Sequence, residues 1–172
     1  MTLPALALEK VISGGQTGVD RAALDAGRVS GVAVGGWCPA GRRAEDGPLD
    51  PAYPLSETPE AGYEQRTAWN VREADATLVL TWGPLEGGTA LTVRFLERER
   101  RPYLLVPLDE DPDPQAVRAW LGDERVRVLN VAGPRGSKAP GIYAAARAFL
   151  ERVFTRPPTP GSGPGDEGAN GG

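Results

Sequence analysis

The chain contains no histidine, a single cysteine and few aromatic residues. Aromatic side chains make up 6% of its 172 residues, and Cys38 is the lone cysteine. The lack of histidine excludes imidazole general bases, histidine-dependent triads and histidine-ligated metals. One cysteine excludes both an intramolecular disulfide and a zinc site built from several thiolates. We therefore expect no structural metal.

The sequence also lacks a hydrophobic run long enough to span a bilayer. Its apolar start, MTLPALALEK, has no basic residue before the apolar part, unlike a signal peptide. The net charge of -4 and the pI of about 5.0 give no reason to expect nucleic acid or an acidic membrane as a partner. These features favour a cytoplasmic protein.

Strand-like and helix-like segments alternate along the chain. The patterns predict strands over 9–13, 32–36, 76–82, 103–107 and 125–131, and helices over 20–27, 65–74, 89–101, 114–121 and 141–154. This alternation predicts an α/β fold, a Rossmann-like three-layer sandwich with a five-stranded, mainly parallel sheet. We expect the strand order 2-1-3-4-5, with the switch point between strands one and three.

Two segments depart from this alternation. Residues 39–64 form a long stretch with five prolines, and loops of this length in a compact domain are usually functional or disordered. Residues 155–172 are rich in proline and glycine and cannot bury enough apolar surface to order themselves. We therefore expect one Rossmann-like ligand-binding domain over 1–154 and a disordered tail over 155–172.

Three glycine-rich turns follow predicted strands and precede predicted helices. They contain the sequences SGGQTGVD, GPLEGGTALT and NVAGPRGSKAPGI. Glycines at such turns let the backbone approach a ligand, and the following helix offers free N–H groups to an anion. Three of them in one domain indicate a shared pocket for an anionic small molecule.

The candidate ligand-binding residues belong to these turns or lie on segments expected near them. Each also has a purely structural interpretation, as a tight turn, a helix cap or a solvated face. Trp82 follows the third strand directly and is the aromatic residue best placed for a flat ring. The candidates are Gly14, Gly15, Gln16, Thr17, Gly18, Asp20, Arg42, Arg66, Asn70, Gly87, Gly88, Thr89, Arg135, Ser137 and Lys138.

Several motifs together resemble the putative molybdenum carrier family. They are SGGQTGVDRAALDAG, GWCPAGRRAEDG, YPLSET, RTAWNVREADATLVL, GGTALT and NVAGPRGSKAPGI. That family is part of a Rossmann-like group that also contains DNA-processing protein A and the lonely-guy phosphoribohydrolases. The resemblance implies a Rossmann-like fold, a homo-oligomer, and a ligand that is a nucleotide, the molybdenum cofactor or a related anion.

Two positions depart from the patterns of these relatives. Thr92 stands where the phosphoribohydrolases carry a glutamate, and threonine cannot act as a carboxylate acid or base. Gly136 stands where the carrier family is expected to have a glutamate.

The sequence leaves three functions open. The first is a binding or carrier protein for a phosphorylated nucleotide-like ligand or a molybdopterin- or molybdate-type anion. The second is a nucleotide N-glycoside hydrolase, for which the candidate carboxylates are Asp20, Glu45 and Glu86. The third is a nucleotide-sensing signalling module. The adjacent carboxylates Glu45 and Asp46 also raise the question of a magnesium ion, for which two acidic residues are weak evidence.

Overall fold

A computed structural model of the protein describes residues 6–155. Seven strands and five α-helices occur in this range. The strands are β1 (Lys10–Ile12), β2 (Ala33–Gly35), β3 (Trp37–Cys38), β4 (Ser56–Glu57), β5 (Ala76–Thr81), β6 (Tyr103–Pro107) and β7 (Val128–Ala132). The helices are α1 (Val19–Val29), α2 (Tyr63–Glu73), α3 (Gly87–Arg98), α4 (Pro114–Asp123) and α5 (Ile142–Phe154). The predicted alternation of strands and helices is confirmed.

The main sheet has five parallel strands in the order β2-β1-β7-β5-β6. The α/β class is confirmed, but the predicted strand order is wrong: the last strand lies between the first and third predicted strands. Val11 of β1 pairs with Leu129 of β7, which pairs on its other side with Ala76 of β5. An apolar run shows that a strand is buried but not which strands flank it, and consecutive strands are neighbours only about two-thirds of the time.

Helices cover both faces of the sheet. On one face, α1 and α4 pack beside α5, over a core that includes Leu78, Leu80 and Leu150. On the other face, α2 and α3 pack over Val79 and its neighbours. The alternation of side chains along β5 sends Leu78 and Leu80 to the first core and Val79 to the second. Burial on both faces explains why Leu78, Val79 and Leu80 form an unbroken apolar run.

The segment between β2 and α2 is ordered by its own contacts. Strands β3 and β4 form a short parallel ribbon within it. Leu49 and Leu55 are buried in a small cluster with Leu24 and Cys38. These anchors hold the proline-containing loop against α1 and bring its acidic residues close to the glycine turns.

In the part of the chain that the structure describes, no helix is long and apolar enough to cross a membrane. The predicted disordered tail begins at Thr155, the C-cap residue of α5, and its remaining residues lie outside the described range.

Candidate functional site

A cleft of about 290 Å³ lies where β1, β5 and β7 end. All three glycine-rich turns contribute to its walls, and the start of α2 supplies a fourth side. The carboxyl edge of a parallel sheet is the usual ligand site of this architecture. Residues from the turns that line the cleft include Gln16, Asp20, Trp82, Leu85, Glu86, Gly87, Gly88, Thr89, Gly133, Arg135 and Lys138.

The second turn presents the N-terminus of α3 to the cleft. The first residues of this helix are Gly87 and Gly88, and the N-cap residue Glu86 makes no capping hydrogen bond through its side chain. A β-carbon at position 88 would meet no atom within 4 Å, so the backbone there is open. Free N–H groups and the positive end of the helix dipole make such a terminus attractive to an anion.

Apolar side chains stand beside this helix start. Trp82 is 49% exposed and Leu85 is 41% exposed, and both line the cleft. Exposed apolar side chains that lie together in one cleft are more typical of a binding site than single ones scattered on the surface. By contrast, Trp37 and Trp69 pack edge to face on each other, with ring centres 4.7 Å apart.

A largely buried ion pair forms another wall. Arg66 on α2 donates from Nη1 to Oδ2 of Asp20 at 3.1 Å, and the two side chains are 15% and 6% exposed. Burial raises the pKa of Asp20, while the nearby Arg66 guanidinium opposes that rise. The guanidinium also lies over the ring of Tyr63, 5.4 Å from its centre. It fits against the first turn because residue 14 is glycine: a β-carbon there would lie 1.8 Å from Nη1.

Glu45 joins the first and third turns. Its carboxylate accepts hydrogen bonds from the Thr17 hydroxyl, from the backbone N–H of Ser137 at 3.1 Å and from the Ser137 hydroxyl at 2.6 Å. Arg135 lies beside it, with Nε 3.5 Å from Oε2. Hydrogen bonds from Ser137 and Thr17 lower the pKa of Glu45. Gly18 permits the close approach of the two turns, because a β-carbon there would lie 2.4 Å from the Pro134 carbonyl oxygen.

Two predicted site residues are engaged away from the main cleft. The Arg42 guanidinium donates to the backbone carbonyls of Leu49, Asp50, Tyr53 and Leu55, at 2.8–3.1 Å. The Asn70 amide pairs with both the N–H and the carbonyl of Trp37 at 2.9 Å. Both contacts hold the segment between β2 and α2 in place.

The remaining predicted residues divide into two groups. Gln16, Asp20, Arg66, Gly87, Gly88, Thr89, Arg135 and Lys138 line the main cleft, whereas Gly14, Gly15, Thr17, Gly18 and Ser137 shape the turns behind it. Tyr63 lines the cleft although its sequence context gave no such indication. Its position three residues before Arg66 on one helix face is the only local signal that could have identified it.

The adjacent carboxylates Glu45 and Asp46 are both paired with protein donors. Arg21 binds Asp46 at 2.5 Å, and this contact lowers the pKa of Asp46. Glu45 is held by the turns. Among residues 6–155, no cluster of three or more His, Cys, Asp or Glu side chains is arranged to hold a metal ion. Of the three candidate hydrolytic carboxylates, Asp20 and Glu86 line the cleft.

Comparisons with known proteins place this architecture in a family. Residues 11–154 match the model of the circularly permutated YpsA SLOG family. The chain is 42% identical to a protein of Syntrophus aciditrophicus SB that bears the name "Putative molybdenum carrier protein". The crystal structure of that protein was determined at 1.45 Å resolution. The match has a TM-score of 0.82 and covers 88% of this chain and 97% of that one. No curated protein matches. The resemblance carried by the sequence motifs is confirmed.

Proposed function

The chain belongs to the circularly permutated YpsA SLOG family, and we propose that it binds and carries a small ligand with both an anionic group and a planar ring. A phosphorylated nucleotide-like molecule and a molybdopterin-type molecule share this chemistry. The observation that carries the proposal is the placement of an open helix N-terminus and an exposed tryptophan in one cleft.

The anionic group would lie at the start of α3. Backbone N–H groups of Gly88 and Thr89 would donate to it, as at other helix N-termini that bind phosphate. Lys138 lines the same cleft and supplies positive charge, and Arg135 adds a guanidinium that it shares with Glu45. The guanidinium of Arg66 is committed to Asp20, so its charge is largely balanced before a ligand arrives.

The ring would lie on Trp82, beside Leu85. The volume of about 290 Å³ is roughly ten times the space of one liquid water molecule, so the cleft suits an organic molecule better than a bare oxyanion. The donors on its walls are N–H, hydroxyl and guanidinium groups, which fit the phosphate and ring edges of a molybdopterin. The chain offers no imidazole and its one thiol is buried elsewhere, so molybdenum would be carried through its organic ligand or as an oxyanion.

The proposal is tested with Gly88→Val and the matched control Gly122→Val. Both positions are in helices, and in both a β-carbon meets no atom within 4 Å. We expect nucleoside monophosphates to raise the melting temperature of the native protein and of Gly122→Val, but not that of Gly88→Val. Neutral nucleosides should have a weaker effect, because they lack the group that α3 binds.

The ring part of the proposal is tested separately with Trp82→Ala, against the control Trp120→Ala on α4. Trp82→Ala should weaken nucleoside monophosphate binding by about ten-fold, the loss expected for one stacked ring. Equal affinities in native protein, Gly88→Val and Trp82→Ala would refute the site. Native mass spectrometry of the purified protein would identify any ligand that it retains.

Asp20 favours a second candidate function, hydrolysis of an N-glycosidic bond. It is a buried carboxylate on the cleft wall, and burial raises its pKa, as in many general acids and bases. Incubation with nucleoside monophosphates followed by chromatography would detect the free base. Release that disappears in Asp20→Asn, and persists in Glu45→Gln, would establish this activity; no release would leave the carrier function.

Assembly and location complete the proposal. We propose a cytoplasmic homo-oligomer, on the basis of the family resemblance and the composition. Sedimentation equilibrium would measure its mass directly, and a mass of one chain would refute the oligomer.

A further inference from the structure

We infer that Glu45 is the internal occupant of a second oxyanion subsite, formed by the first and third glycine turns beside the main cleft. A tetrahedral oxyanion, either free phosphate or molybdate or the phosphate of a ligand, would exchange with its carboxylate. This subsite is separate from the N-terminus of α3 and does not depend on the function proposed for the cleft.

The donor set around Glu45 is that of an anion site. A backbone N–H, two hydroxyls and a guanidinium converge on the two oxygens of one carboxylate. The N–H and one hydroxyl come from Ser137, the guanidinium from Arg135, and the other hydroxyl from Thr17. N–H groups at turns combined with hydroxyl and guanidinium donors are a recurrent means of binding phosphate.

The arrangement is built by residues distant in sequence. Glu45 is 28 positions from Thr17 and 92 from Ser137. The Thr17 hydroxyl also accepts from the backbone N–H of Gly136 at 3.1 Å, which fixes the direction in which it can donate. The donors of the two turns are therefore oriented before any external anion arrives.

Exchange of Glu45 would be a local event. Its side chain is 21% exposed, so it has a route to solvent. The surrounding loop would remain anchored by the Arg42 contacts and by the Arg21–Asp46 ion pair. Arg135 is 40% exposed and also lines the cleft, so an oxyanion can approach it from that side.

The test measures phosphate and molybdate binding by titration calorimetry in Glu45→Ala. It is made in a Gly88→Val background, so that an anion held at α3 does not contribute. Removing the carboxylate should tighten phosphate binding by about ten-fold or more, because the charge-assisted hydrogen bonds it occupied become available. Replacing Ser137 by alanine as well should abolish the gain.

Two further arms make the outcome decisive. A gain for inorganic phosphate alone supports a free oxyanion, and an equal gain for a nucleoside monophosphate supports the phosphate of a larger ligand. Glu45→Gln keeps an acceptor for Ser137 and removes the charge, so it should shift affinity in the same direction while preserving the contact between the turns. Unchanged phosphate affinity in both variants, with native circular dichroism, would overturn the inference. If the main cleft binds no ligand but phosphate affinity still rises in Glu45→Ala, the second subsite stands and only the function proposed for the cleft fails.

Discussion

Replacing Gly14 by alanine should break the Asp20–Arg66 ion pair although neither of these two residues is substituted. The added β-carbon would lie 1.8 Å from Nη1, 2.5 Å from Cζ and 2.9 Å from Cδ of Arg66. The guanidinium must therefore leave its position, and the cleft gives it space to turn into. Asp20 stays behind, 6% exposed, with its charge no longer paired.

The size of the effect follows from what each partner loses. Removing one member of a buried ion pair costs about 3–5 kcal/mol when the other remains fully buried and charged. Arg66 can regain water in the cleft, and Asp20 keeps its hydrogen bond from the backbone N–H of Gln16 at 3.3 Å. We therefore expect a loss of about 2–3 kcal/mol in the free energy of unfolding. This corresponds to a fall of about 4–12 °C in the melting temperature of a domain of this size.

The assay is thermal and urea unfolding, with Gly62→Ala as the matched control. Gly62 has an ordinary φ of -75°, and a β-carbon there meets nothing within 4 Å, so this variant carries the same change in the unfolded chain. An unpaired Asp20 takes up a proton more readily, so the deficit of Gly14→Ala should shrink as the pH falls towards 4. Equal stabilities of the two variants at pH 7, or a deficit that grows in acid, would refute the assigned role of the pair.

Three other substitutions test the contacts around the loop. Arg42→Ala should lower the free energy of unfolding by about 2–4 kcal/mol in urea titrations, and Arg42→Lys should recover little, because one ammonium cannot reach all of the carbonyls. Tyr53→Phe should cost about 1 kcal/mol through loss of the 2.7 Å hydrogen bond to Asp25, and should abolish a phenol titration whose pKa is raised to about 12 by burial and by Asp25. The stability gap between the native protein and Glu45→Gln should be full above the ordinary glutamate pKa of 4.5 and close as the pH falls below it, because the pKa of Glu45 is lowered in the fold. Any of the three is contradicted by a variant that unfolds like the native protein at every pH.

The fold class was predictable because it depends on local patterns. Apolar runs such as Ala76–Thr81 and the helical periodicity of Gly87–Arg98 encode burial directly, and each predicted helix overlaps an observed one. The strand order was not predictable from these patterns. The composition of Val128–Ala132 is compatible with a strand at the edge of the sheet and with one at its centre. The short pairing of Trp37–Cys38 with Ser56–Glu57 was missed because two-residue strands have no period to detect.

The candidate site divides in the same way. Glycines placed after strands marked the turns that meet at the cleft, because turn chemistry is local. The sequence did not indicate which residues each side chain contacts in the folded protein. Nothing near Arg42 in sequence indicates that its guanidinium faces loop carbonyls, and nothing near Glu45 indicates a contact with Ser137, 92 residues away. Assignments of ligand contact to single residues therefore stay predictions until binding is measured.

The central place of β7 also constrains how the protein is made. Strands β1 and β5 each pair with β7, so before Val128–Ala132 leaves the ribosome no strand joins the β2-β1 pair to the β5-β6 pair. Pairings between residues far apart in sequence, such as Val11 with Leu129, form late and slowly during folding. The third glycine turn follows β7 directly, so the cleft gains its last wall only after this strand is in place. A nascent chain can therefore hold no ligand in the complete cleft until β7 has emerged and paired with β1 and β5.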